Sequence, residues 1–374
     1  MIEKLRWKRI PGSLVIASAL VLAGTYGTAI TAAAQDFDDL QAPQGALVLK
    51  AQGSFFVGGE NVEQTFTELG SAFAPGHITV NQMYVEYMIP AGSVQKVPVV
   101  IVHGATLSGK SWETTPDGRM GWDEYFVRQG HAVYLADQIS RARSGFNQAI
   151  FNKVGAEEES PASQPSILRF TDETAWEGFR FGSTFGTAYA DAQFPTEAAD
   201  EFSKQGIPDL NSTLPSPNPN FNALSDLAIK LGGAVVMGHS QSGRYPLDAA
   251  LTDSTGMKGL IVTEPAFSCR GATPDAYTND EIATLATVPI LVLFGDHLSD
   301  PPFGVLWQPA FDDCEEFITR INNAGGNAEM LWPPALGIFG NSHMFMLDKN
   351  NLELADLVLK WIKDNVGLQN LAAN

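Results

Sequence analysis

Residues 235–244, VVMGHSQSGR, place a serine between two small residues: Gly238 stands two positions before Ser240 and Ser242 two positions after it. Where a buried strand turns sharply into a helix, crowding admits only small side chains at those two positions, and the turn lifts the central hydroxyl into a cleft. The apolar run before Ser240 and the helical pattern of RYPLDAALT after it predict that setting. Ser242 departs from the usual glycine but is still small, and Gly243 follows it. Choosing Ser242 as nucleophile would put Arg244 at the crowded position. Ser240 is therefore the candidate nucleophile, and the chemistry is acyl transfer.

A serine hydroxyl needs a base near neutral pH, most often histidine. The chain offers six: His77, His103, His131, His239, His297 and His343. Only His343, in GIFGNSHMF, falls after the last predicted strand and before the C-terminal helix, which is the place for the base when the chain order is serine, acid, histidine. For the acid, Glu264 ends the run GLIVTEP, whereas Asp296 and Asp300 follow VPILVLFGD. The pattern alone leans to Asp300 and leaves the three open. The oxyanion donors are expected to be the N–H of Gln241, next after the nucleophile, and that of Ala105 in the loop HGATLSG.

The elements that must position these groups are legible as apolar runs. Segments 45–57 and 77–90 read as two opening strands. VPVVIVHG, HAVYLAD, GAVVMGHS, GLIVTEP, VPILVLFGD and AEMLWPP read as strands buried on both faces. Helical patterns at 222–232, 312–324 and 351–366 separate them, and the last repeats Leu354, Leu357, Val358, Trp361 and Ile362 on one face. Strands alternating with helices predict a mostly parallel, doubly wound α/β sheet. Residues 145–220 break the rhythm: they contain no clean strand, but ten aromatics fall between Phe146 and Phe202, too apolar for a disordered linker. They read as a cap inserted before the strand that carries Ser240, lying over the carboxyl ends of the strands and presenting aromatic walls to bulky apolar ester groups. The core is then 35–144 with 221–374.

Composition bounds the remainder. The formal charge of −19 repels phosphate backbones and anionic membranes, so nucleic acid is not an expected partner. Lys4, Arg6, Lys8 and Arg9 precede an apolar stretch that ends at Ala32-Ala33-Ala34, the pattern of a cleaved export signal over 1–34. The rival reading is an uncleaved anchor. Cleavage removes four bases and one acid, taking the charge from −19 to −22, and leaves no expected stable membrane association. The two cysteines, Cys269 and Cys314, are then expected to form a disulfide in an oxidising compartment. No H-E-x-x-H, P-loop or G-x-G-x-x-G is present, so neither a metal nor a cofactor is expected. The oligomeric state is not legible.

Over roughly 45–365 the chain resembles secreted α/β-hydrolase esterases of the Alcaligenes type. The likeness rests on HG-x-x-L-x-G-x-x-WETTPDGRMGWDEYF around Trp112 to Phe126, ADQ followed by R-x-R-S at Arg141 to Ser144, HSQSG at His239 to Gly243, VTEP at Glu264, and PALG with GNSHM at His343. The resemblance implies a triad of Ser240, His343 and Glu264, which overrules the lean toward Asp300. It also implies the pairing of Cys269 with Cys314. One departure stands out: the family's best-known member has adjacent cysteines in the oxyanion loop where this chain has Ala105 and Thr106. The expected activity is hydrolysis of a small-molecule carboxylic ester through an acyl-enzyme. Amide, carbamate or lactone cleavage on the same triad, and a non-catalytic binding module on this fold, are the alternatives.

Overall fold

The computed structural model describes residues 45–92, 96–266, 268–269 and 277–366; the signal expected over 1–34 lies outside them. Eight strands form one sheet: β1 Leu49–Gln64, β2 Gly76–Pro90, β3 Lys96–Val102, β4 His131–Ala136, β5 Ala234–His239, β6 Met257–Thr263, β7 Ile290–Leu293 and β8 Ala328–Leu331. Their order is β1-β2-β4-β3-β5-β6-β7-β8. β1 pairs antiparallel with β2, and β2 with β4. Every later pairing is parallel. This is the mostly parallel sheet that the alternation of runs predicts, in the α/β-hydrolase arrangement that the resemblance implies.

The continuous apolar runs are explained by burial on both faces. Successive strand residues point to opposite sides, so Val100 and Val102 of β3, Val236 of β5 and Val292 of β7 enter one core. Val99 and Ile101, Val235 and Met237, and Leu291 and Leu293 enter the other. Helices Pro219–Lys230, Tyr245–Thr252, Asn279–Leu285 and Gly304–Asn323 close the first face. Helices Trp122–Arg128 and Asn351–Asn365 close the second. The helix expected at 312–324 begins eight residues earlier and runs through Pro309, a breaker in sequence. The proline lies in the second turn, where it removes one interior backbone donor that the rest of the helix must outweigh. β1 runs seven residues past the expected end at 57, paired with β2 as far as Gln64↔Gly76.

Residues 145–220 connect β4 to β5 with short helices at Ala149–Gly155, Asp172–Gly178 and Ala199–Ser203. Extended pairing there is limited to two isolated bridges, Leu168↔Asp209 and Thr184↔Thr187. Its aromatics pack on one another and into the second core: Phe181 stacks on Phe194 at 3.6 Å between ring centres, and Phe202 meets Phe170, Phe179, Phe181 and Phe194. Trp176, Phe181, Phe194 and Phe202 are all buried. The disulfide Cys269–Cys314 is formed, tying the chain after β6 to the helix Gly304–Asn323.

Candidate active site

Ser240 sits where β5 ends and the chain turns at once into a helical start. Its φ is +57°, the left-handed conformation that side chains adopt only when the surroundings impose it. The small neighbours are required as the sequence predicts. A Cβ on Gly238 would lie 1.9 Å from the carbonyl oxygen of Ser242, and one on Gly243 would lie 2.8 Å from Cα of Pro265. Ser242 is fully buried, and its hydroxyl is engaged by the backbone. It accepts from the N–H of His239 at 3.0 Å and lies 3.1 Å from the carbonyls of Val102 and His239. Serine at this position therefore pins the turn to β3, work a glycine could not do.

His343 and Glu264 meet as the resemblance implies. Nδ1 of His343 is 3.0 Å from Oε2 of Glu264, and both groups are buried. The loop bearing His343 is stapled by Asp348, which accepts from Ser342 N–H, Ser342 Oγ and Asn341 Nδ2. Arg119 of the WETTPDGRMGW string donates to the carbonyls of Leu347 and Asp348 behind it. Phe179 accepts from the N–H of His343 at 2.9 Å and lays its ring 5.0 Å from the imidazole. Burial would push Glu264 up, but the charge of Arg180 and hydrogen bonds from His343 and Arg180 outweigh it and hold the carboxyl at about 2. An ionised Glu264 fixes the His343 proton on Nδ1. Burial pulls His343 below its ordinary value despite Glu264, so the ring is neutral at pH 7. Its Nε2 is then an open acceptor, with no hydrogen-bond partner among the described residues.

Sequence reasoning missed Arg180. Its guanidinium pairs with Oε1 of Glu264 while Nε donates to the carbonyl of Asp296 at 2.7 Å, and it lies over Trp307 at 4.7 Å. A lone arginine inside the apolar string WEGFRFG is the signal that could have found it. Thr106, Arg180, Ser240 and Glu264 all have positive φ, a clustering of strained backbone typical of functional sites.

On the other side of Ser240 the loop after β3 approaches closely: a Cβ on Gly104 would lie 2.8 Å from Cβ of Ser240. Ala105 follows Gly104 there. Gln241 is the second residue of the helical start Ser240–Ser242, where an N–H has no intrahelical acceptor. A cavity of about 550 Å³ opens beside Ser240 and Gln241, with Asn211, Asn218, Phe221 and Tyr245 in its wall.

The remaining candidates are occupied elsewhere. Asp300, favoured by pattern alone, faces Nδ1 of His297 at 2.9 Å rather than His343. Asp296 accepts from the N–H groups of His297 and Gly340. His131 bonds the carbonyl of Val97, and His77 is exposed on β2. His103 and His239 are buried and support the site: His239 Nε2 lies 2.9 Å from the carbonyl of His343. The ligand atoms of Asp191, Asp296 and His297 lie within 4.8 Å of one another. Both nitrogens of His297 nevertheless face carboxylates, Asp191 and Asp300, so these groups satisfy each other.

No protein-family model matches the chain. A probable secreted lipase from a fungus (Fungal sp., strain ATCC 74256) is 30% identical over 319 residues, covering 75% of this chain and 85% of that protein. A solved structure described as a novel bacterial esterase is 42% identical, superposes with a TM-score of 0.81, and covers 87% of this chain and 99% of its own. The chain belongs to the esterase family these two represent, and on its α/β-hydrolase fold it is a serine carboxylesterase that hydrolyses carboxylic esters.

Proposed function

We propose that Ser240 is the nucleophile, His343 the general base, Glu264 the orienting acid, and the N–H groups of Ala105 and Gln241 the oxyanion donors. The observation that carries this reading is the open Nε2 of a neutral His343, whose Nδ1 is held by Glu264, together with the strained φ of +57° at Ser240. Ser240 Oγ attacks the ester carbonyl carbon as its proton passes to Nε2. The carbonyl oxygen gains the negative charge and is met by the two amide hydrogens. Collapse breaks the C–O bond, and His343 returns the proton to the departing alcohol. Water repeats the sequence on the acyl-enzyme. Glu264 stays ionised throughout and balances the imidazolium.

Residues 145–220 serve as the cap. Phe179, Arg180 and Ile207 bond groups at His343, Glu264 and Thr106, all beyond the carboxyl ends of strands. Most aromatics expected to form walls are buried in the second core instead, so the wall beside Ser240 is different in kind. Phe221 and Tyr245 supply apolar faces, and Asn211 and Asn218 polar ones. A cavity of about 550 Å³ suits bulky or aromatic esters better than acetates. The long shared strings and the 42% identity to a bacterial esterase support assignment to the Alcaligenes type. The N-terminal pattern, with a relative described as a probable secreted lipase, supports export.

The test is labelling by diethyl p-nitrophenyl phosphate with peptide mapping. The adduct belongs on Ser240, and Ser240→Ala abolishes both label and turnover; an adduct on Ser242 overturns the assignment. On p-nitrophenyl esters, kcat/KM should rise from acetate to branched or aromatic acyl groups, and Phe221→Ala should flatten that rise. N-terminal sequencing of the exported protein should begin at Gln35.

A further inference from the structure

We propose that the buried pair Arg141–Asp209 is the device that holds the oxyanion-binding peptide in its working orientation. The inference rests on the reading of Ser240 as nucleophile and of Ala105 and Gln241 as donors. Arg141 and Asp209 are 1% and 2% exposed, and their ion pair joins the chain after β4 to the 145–220 segment. Burying such a pair costs more desolvation than its attraction commonly returns, so its stabilising value alone is a weak reason for it.

Its other hydrogen bonds point to a use. Arg141 donates through Nη1 to the carbonyl of Gly104 at 3.3 Å and through Nη2 to Oε1 of Gln241 at 3.2 Å. Oδ2 of Asp209 accepts from the N–H of Thr106 at 3.2 Å and from Nε2 of Gln241 at 3.0 Å, and Oδ1 from the N–H of Asn211. Apart from the Asn211 amide, which belongs to a local turn, every one of these bonds ends on the loop 104–106 or on the residue after the nucleophile.

The peptide between Gly104 and Ala105 is planar and trans, so its carbonyl and its N–H point in opposite directions. His103 helps to fix that carbonyl. Burial holds this histidine at about 4, so it is neutral. Its Nε2 accepts from the N–H of Gln138, which can only donate, so Nδ1 carries the proton and gives it to the carbonyl of Gly104 at 2.9 Å. With the carbonyl drawn by Arg141 and His103, the N–H of Ala105 faces away from both. Thr106 is held in the left-handed region at φ +55°, which is costly for a β-branched residue. It is clamped at its N–H by Asp209 and at its carbonyl by the N–H of Ile207 at 2.8 Å. One ion pair thus anchors both proposed oxyanion donors, Ala105 through its peptide plane and Gln241 through its side chain.

Asp209→Asn, Arg141→Met and the double variant separate this role from simple stability. Each single variant leaves a buried charge unpaired and should lower Tm; the double variant removes both charges and should recover part of that loss. Positioning predicts that kcat falls by about a hundredfold, the scale of one lost oxyanion donor, in the singles and in the double alike, with KM within about threefold. Affinity for an alkyl trifluoromethyl ketone, whose serine adduct carries the oxyanion, should fall by the same factor as kcat. Recovery of kcat together with Tm in the double variant would mean the pair is merely structural, as would unchanged ketone affinity in Asp209→Asn. Should the singles fail to fold, the double variant and Gln241→Met carry the same readout. Wild-type labelling at Ser240 by diethyl p-nitrophenyl phosphate checks the underlying assignment separately.

Discussion

Replacing Glu264 by glutamine exchanges one carboxylate oxygen for an NH2 group and, on this geometry, should disable the base. Oε1 of Glu264 accepts from the guanidinium of Arg180 and from the N–H of Gly295, so both of its contacts demand an acceptor. In Glu264→Gln the amide oxygen must therefore stay there, and the NH2 group is forced toward Nδ1 of His343, 3.0 Å away in the native site. Nδ1 then accepts, the imidazole proton moves to Nε2, and the nitrogen that should take the Ser240 proton becomes a donor. The imidazolium also loses its counter-charge. The expected loss in kcat is about 10⁴, the scale seen when a triad acid becomes an amide, or roughly 5.5 kcal/mol at 1.36 kcal/mol per decade. Arg180 keeps a neutral partner, so Tm should fall while the protein remains folded at 25 °C. The assay is kcat on a p-nitrophenyl ester, normalised to folded protein by circular dichroism and size exclusion, with Asp300→Asn beside it. A loss under tenfold in Glu264→Gln together with a loss above a thousandfold in Asp300→Asn would refute the reasoning.

Ser242→Ala removes the hydroxyl that ties the elbow to Val102 and His239, and should cost about 1–2 kcal/mol of stability in urea unfolding while labelling of Ser240 by diethyl p-nitrophenyl phosphate persists. The acid limb of kcat/KM should lie below pH 6.5, because burial lowers His343 and the base is lost only as pH falls through that value. Arg180→Met removes a positive charge that depresses His343, so its acid limb should move to higher pH; a limb that stays put would show that Arg180 is not felt at the ring. Reducing Cys269–Cys314, which are 45 residues apart, should cost about 4 kcal/mol in the chain-entropy model, read as a lower urea midpoint, with kcat below that midpoint little changed.

What the sequence makes legible and what it hides follow from how each group is held. Ser240 and His343 are fixed by local crowding and by chain order, which a single sequence displays. The acid is not, because strand ends at 264 and 296–300 both offer carboxylates, and the choice depends on which one faces His343. His297 occupies Asp300, a contact between side chains three residues apart that no periodicity reveals. Arg180 and Asp209 come from 145–220, where the chain has neither helical nor strand period to say which way a residue points.

That irregular segment reaches both sides of the proposed reaction centre. It lends Arg180 to Glu264, the carbonyl of Phe179 to the N–H of His343, and Asp209 to Thr106 and Gln241. Its aromatic core, with Phe181 and Phe194 stacked and Phe202 wedged beside them, gives those three contacts a rigid base. A segment held only to narrow the substrate range would need to touch the cavity wall; this one also holds the groups to which the proposed mechanism assigns protonation and orientation. Its packing should therefore bear on kcat as strongly as on KM.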